Sequence, residues 1–403
     1  GWSAPAPAPE MSAREKQILV QQGVEQYKQG NHDQAQKNLE QARTVFPENY
    51  AAPYYLGLIY LKQGKRTAAI AQWRQYVQMD PRSENALRIR KNLTLLLREE
   101  ARESARQAVA NEAALMHSPA AENTVAVTAF NNLGSDSIQP LGKGMAALLI
   151  SDISQFPDLQ VVERVRLQAL LSEMKLGTSG LVSAETAPRV GKLLKAKHVT
   201  SGSLADLEKE SLQIASALVD ADQAASVQSQ EAQGQLKEFY ELEKKIACQI
   251  VEDLGRSCDD APPAFGRIHT KSLAALTAFS VGLNFLDEAN YAQARAAFQN
   301  AVEQDPSFEL AQQSLLDTPV PSMQFGDAGM ATTDKMIAMA DASGPSPDAS
   351  GTAIATGGGG GGGVGMLPAI GLVGAGGVVV AVAANTGDSV SAPPASGNDG
   401  YVP

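Results

Sequence analysis

A 34-residue period near the N-terminus constrains this chain more than any other feature of its 403 residues. Gly23, Gly30, Ala35, Leu39, Ala42 and Pro47 recur as Gly57, Gly64, Ala69, Trp73, Tyr76 and Pro81, each pair 34 residues apart. Equal offsets at every one of these positions call for a hairpin of two helices, repeated and stacked. Gly23 and Ala35 let the first helix of a hairpin approach the second, Gly30 takes the turn, and Pro47 stops the second helix. Such a stack leaves an open apolar face at its end. Residues 85–115, apolar at helical spacing and then polar and Ala-rich, read as the cap for that face followed by a helical connector.

Period and residue classes resemble the tetratricopeptide repeat. That resemblance implies a concave surface that takes a peptide or helix of a protein partner, with Tyr27, Tyr54 and Tyr55 as candidate contacts and Tyr60 as repeat core. The pair with its cap and connector spans 15–115. A third copy lies within 268–316, where Gly282, Ala294, Phe298, Ala301 and Pro306 keep the spacing of the second repeat. Ala289 stands at the turn glycine's position, so that turn is less ideal. A lone repeat cannot bury its own face and must dock on something else.

Between the repeats, residues 124–204 alternate short β-branched runs (124–130, 159–163 and 198–204) with longer helical patterns, which specifies a small α/β layer domain. Two more strands, 212–219 and 224–230, meet at the turn 220–222, and 236–254 is an amphipathic helix. The expected fold class is multi-domain α and α/β, with helical repeats flanking an α/β sandwich over 122–258. Its expected core includes Val125, Val127, Val161, Val162, Leu148, Leu149, Ile153, Leu167, Leu170 and Leu171.

Chemistry is harder to find. Gly142, Gly144 and Ala147 form a GxGxxA string with Glu163 twenty-one residues beyond Gly142, but an eleven-residue loop, 131–141, separates it from the preceding strand. A dinucleotide fingerprint needs its first glycine directly after the strand, so these glycines read as close packing at a helix start. Ser172 and Lys175 have SxxK spacing without companion motifs and read as a solvated helix face. His32, His117, His198 and His269 are scattered, with no second His or Cys at ligand spacing. Catalytic, cofactor-binding and metal-ligating residues are therefore left unassigned, and the expectation is a non-enzyme. A net charge of −11 without a basic stripe argues against nucleic-acid binding.

The central stretch resembles the CsgG/FlgO family. The pieces that carry the likeness are Val162-Glu163-Arg164 with Leu167 to Leu171, Leu176 to Gly180, and the strand Thr200 to Leu204. Membership implies an envelope location, protein assembly without catalysis, and side-by-side packing of copies or binding of envelope partners. Glu163 and Arg164, at a strand end, are candidate contacts to a neighbouring copy. CsgG itself builds a membrane barrel from long hairpins of this domain. Between Gly202 and Leu236 there is room for one compact, soluble-looking hairpin, so a pore is not expected.

Both ends differ in composition. Residues 1–14 are an Ala/Pro-rich tether like the front of an exported mature chain. Residues 318–403 read as a low-complexity tail, with an uncharged segment at 366–384 that suits association, and peripheral outer-membrane contact, better than a span. Cys248 and Cys258 would be two small buried thiols in a reducing compartment or a local disulfide in an oxidising one. Together these features predict a periplasmic or outer-membrane-associated scaffold that recruits protein partners for secretion, flagellar or surface-fibre assembly. The alternative is a periplasmic activator of an envelope enzyme such as a peptidoglycan synthase.

Overall fold

The computed structural model describes residues 11–207, 210–323, 329–342 and 344–350. Helix α1 (Ala13–Lys28) starts at a capping box, in which the Glu15 amide donates to Ser12 Oγ at 3.3 Å and the Ser12 amide donates to Glu15 Oε2 at 2.7 Å. Gly30 then takes φ +82°, a left-handed turn open to glycine, and α2 (His32–Val45) folds back. The second hairpin, α3 (Ala51–Lys62) and α4 (Arg66–Met79), turns at Gly64 with φ +72°. Gly23 lies beneath Leu39, where a Cβ would come within 2.6 Å of Leu39 Cγ, and Gly57 lies in the same way beneath the Trp73 indole.

Cap and connector form one continuous helix, α5 (Glu84–Ala110). Its first half buries Ile89, Leu93, Leu96 and Leu97 against the repeats. Its second half, polar in composition, buries Ala101 and Ala105, small residues that let the α/β domain pack close to it.

That domain runs α6 (Glu112–His117), β1 (Ala121–Asn132), α7 (Leu141–Ile153), β2 (Gln160–Val161), α8 (Arg164–Glu173), α9 (Ala187–Leu194), β3 (Ala196–Leu207), β4 (Ser211–Asp220), β5 (Ala225–Gln235) and α10 (Phe239–Asp253). The sheet order is β2-β1-β3-β4-β5; β1 pairs parallel with β2 and β3, while β3, β4 and β5 pair antiparallel. Val125 and Val127 face α7 and α10 together with Leu204, Ile214 and Leu218. Ala126, Val199 and Val219 face α8 and α9, against Leu167, Leu170, Val190 and Leu193. The result is a three-layer sandwich, and among the described residues β5 is its unpaired long edge. Cys248 on α10 is bridged to Cys258 in the following loop, their Cα atoms 5.5 Å apart.

The third repeat is α11 (Leu273–Asp287) and α12 (Tyr291–Gln304), followed by α13 (Glu309–Asp317). Gly282 sits under Phe298 as Gly23 sits under Leu39, and Ala289 adopts φ +59°, the left-handed value its two glycine counterparts take. The lone repeat docks on the α/β domain through α7 and on the first repeats through α5. Among the described residues no helix is long and apolar enough to cross a membrane.

The region from 318 onward is not one uniform tail. It contains α14 (Gly329–Asp341), and the chain continues across the first repeats to Ser350, which bridges to Asn49. The Ala/Pro residues up to 10 and the uncharged segment 366–384 lie outside the described residues.

Candidate protein-binding groove on the repeats

Helices α1 and α3 place Tyr27, Tyr54 and Tyr55 together. The rings of Tyr27 and Tyr55 are 5.2 Å apart and those of Tyr54 and Tyr55 5.3 Å. Lys62 lies 4.5 Å from the centre of the Tyr27 ring, a cation–π contact. All three tyrosines are buried, and the segment that buries them is the chain's own C-terminal stretch.

The groove holds this segment mostly by its backbone. Tyr54 donates to the Ala340 carbonyl at 2.7 Å and Tyr55 to that of Pro345 at 3.3 Å. The Pro347 carbonyl accepts from Gln17 at 2.9 Å and from Asn49 at 2.8 Å, and the Tyr50 amide donates to Ala349 O at 3.2 Å. Asn49 also caps α3, since its Oδ1 accepts from the Ala51 and Ala52 amides. Side chains of the segment add three points of selection. Asp341 accepts from Tyr27 and pairs with Lys62 at 3.2 Å, Asp348 accepts from Gln17 at 2.7 Å, and Gly344 fits where a Cβ would strike the Tyr55 phenol. Burial, then the Asp341 carboxylate, pushes the Tyr27 and Tyr55 phenols above the usual range, so both remain donors at any physiological pH. The Lys62–Asp341 pair is about a third exposed and adds well under about 1 kcal/mol.

Two family models match the chain. That for the tetratricopeptide repeat covers residues 20–84, and that for the curli production assembly/transport component CsgG covers 106–216. The chain thus carries tetratricopeptide repeats followed by a central CsgG-like domain. Among solved structures, the LpoB C-terminal domain from Salmonella enterica is similar over 29% of this chain and 84% of that one, at 14% identity and a TM-score of 0.23. No curated protein matches.

In this repeat protein, Glu163 and Arg164 are engaged within the chain. Glu163 pairs with Arg74 of α4 at 2.6 Å, and Arg164 pairs with Asp287 at the end of α11 at 2.5 Å. Asp287 also takes Lys143 Nζ at 2.7 Å, and Arg98 of α5 donates to the carbonyls of Leu286 and Asp287. Three elements of the CsgG-like side and the connector thus meet one helix C-terminus, whose partial negative charge suits cations. Burial lowers the Lys143 pKa, and Asp287 opposes that shift. The glycines on either side of Lys143 serve close packing. Gly142 abuts the Phe130 backbone and Gly144 abuts Ser280 and Leu276 of the third repeat.

Sequence spacing gave no hint of a second buried group. Asp152 of α7, Glu243 and Lys244 of α10, and His269 ahead of α11 converge, with His269 Nε2 2.8 Å from Asp152 Oδ1 and Lys244 bound to Asp152. Burial, then the Asp152 charge, raises Glu243 to about 8, and burial lowers His269 to about 4. Burial also raises Asp152 to about 6, against the pull of Lys244. At neutral pH the group therefore holds a protonated Glu243, a neutral His269 and an Asp152–Lys244 ion pair. The signal that could have pointed to it is position: Asp152 and Glu243 each lie on an otherwise apolar helix face, and a charge there needs partners.

Proposed function

We propose that this protein is a non-enzymatic assembly scaffold of the cell envelope. Its repeat groove recruits a protein partner, and its CsgG-like domain packs against copies of itself or other envelope components. One observation carries the reading: Tyr54, Tyr55, Gln17 and Asn49 already hold a stretch of polypeptide by its carbonyls, as a peptide-recognition groove does. The two matched families support an interaction or assembly role. The fixed geometry of the CsgG-like domain, with β5 open along one edge, offers the surface for packing.

The test is cross-linking in intact cells followed by mass spectrometry, with the wild-type chain and with Lys62→Glu. Secretion, flagellar or fibre components should be recovered with the first and in smaller amounts with the second, at unchanged melting temperature. A partner set unaffected by Lys62→Glu would remove the groove from the reading. Recovery of a peptidoglycan synthase in their place would overturn the scaffold in favour of an enzyme activator.

A further inference from the structure

The repeat groove is full. Among the described side chains of its occupant only Met336 and Ala340 are deeply buried, one helical turn apart on α14. Tyr54 adds one buried hydrogen bond to the Ala340 carbonyl, and the remaining hold comes from part-buried or exposed hydrogen bonds and the partly exposed Asp341–Lys62 pair, contacts that water or a competing chain can replace. Tyr27, Tyr54 and Tyr55 would be uncovered by its departure, while the repeats keep their own core of Leu39, Leu56 and Trp73. The occupant is thus separable from the fold it covers.

We propose that α14 and residues 344–350 are a built-in ligand that closes the groove, and that the partner which opens it carries the same chemistry. That chemistry is a short helix ending in a carboxylate, a glycine where Tyr55 leaves no room for a side chain, and an extended proline-containing strand with a second acid. Each feature has its reader in the groove: Lys62 and Tyr27 for the first acid, Tyr55 for the glycine, Asn49 and Gln17 for the strand carbonyl, Gln17 and Gln21 for the second acid. The inference rests on the groove being a protein-binding site and adds that it is self-occluded.

The experiment uses full-length chains and a fluorescein-labelled peptide of residues 329–350, followed by fluorescence anisotropy. A release variant, Asp341→Lys with Gly344→Val, alters only the occupant: it sets a cation beside Lys62 and a side chain against Tyr55. The peptide should bind the release variant at least about tenfold more tightly than wild type, because the closed fraction of the wild type cannot bind. Adding Lys62→Glu to the release variant should weaken that binding several-fold, and a peptide carrying Asp341→Lys should recover the loss. Equal affinity for wild type and release variant, or binding to neither, overturns the proposal. So does a wild-type dimer formed by exchange of the segment, which would make a second copy the occupant. If the release variant recovers the same cellular partners in the same amounts as wild type, self-occlusion fails while the groove's role as a binding site stands.

Discussion

The first two repeats and the third share a helical hairpin but are completed in opposite ways. In each, a glycine of the first helix lies under a bulky residue sixteen positions on: Gly23 under Leu39, Gly57 under Trp73, Gly282 under Phe298. The third repeat is then locked in place by buried ion pairs, Lys143 and Arg164 to Asp287 and Arg90 to Asp317 at 2.6 Å. The groove of the first two is closed by a segment held through carbonyls and a partly exposed pair. A buried charge without its partner is costly, whereas a hydrogen bond near the surface is readily traded for one to water. One repeat is thereby part of the body, and the others carry something that can leave.

The largest break in this comparison comes from Asp287→Ala. It strands Lys143 and Arg164 in the interior and should cost roughly 3–5 kcal/mol in denaturant unfolding. A loss below about 1 kcal/mol would show that the third repeat is docked by apolar contacts alone.

Next is a pH effect on the body of the molecule. Glu243 has a folded pKa near 8, above its ordinary value, so the folded state holds a proton the unfolded state has released. Its contribution to stability is complete at low pH and is lost as pH rises towards 8. His269, folded near 4 and unfolded near 6.5, opposes this slope only at the lower end of the range and is neutral in both states above about pH 7.5. Stability should fall from pH 6.5 to 8 by up to about 1.4 kcal/mol per pH unit, and Glu243→Gln should remove that part of the slope. Matching slopes in both proteins would contradict a protonated Glu243.

The smallest global effect belongs to the groove. Asp341→Lys should change unfolding by well under about 1 kcal/mol, since the pair is about a third exposed. Amide exchange over 333–350 should nevertheless accelerate while the amides of α3 and α4 keep their protection. Faster exchange in α3 as well would mean that the segment is part of the repeat's own core.

Much of this architecture is legible in the sequence because it is written locally. The 34-residue period, the β-branched runs and the long loop before Gly142 each act within a few dozen residues, and the fold class follows from them. The alanines of the connector were also visible, although only their burial against α8 and α9 gives them a purpose. What stayed hidden depends on distant partners. Glu163 meets Arg74 and Arg164 meets Asp287 through contacts for which no periodicity exists. The C-terminal occupant is hidden for a related reason. Ala-, Ser-, Gly- and Pro-rich composition predicts a chain unable to build its own core, and this one borrows a core from the tyrosines. Met336, Ile337 and Ala340 are its faint amphipathic trace.

The connector α5 has a mechanical consequence. Its 27 residues reach about 40 Å, and along that length it is the wall for α4, α8, α9, α13 and α14. Repeats and sandwich therefore share one continuous beam. That beam fixes the distance and angle between the groove and the edge strand β5, so the two surfaces stand as the ends of one rigid gauge.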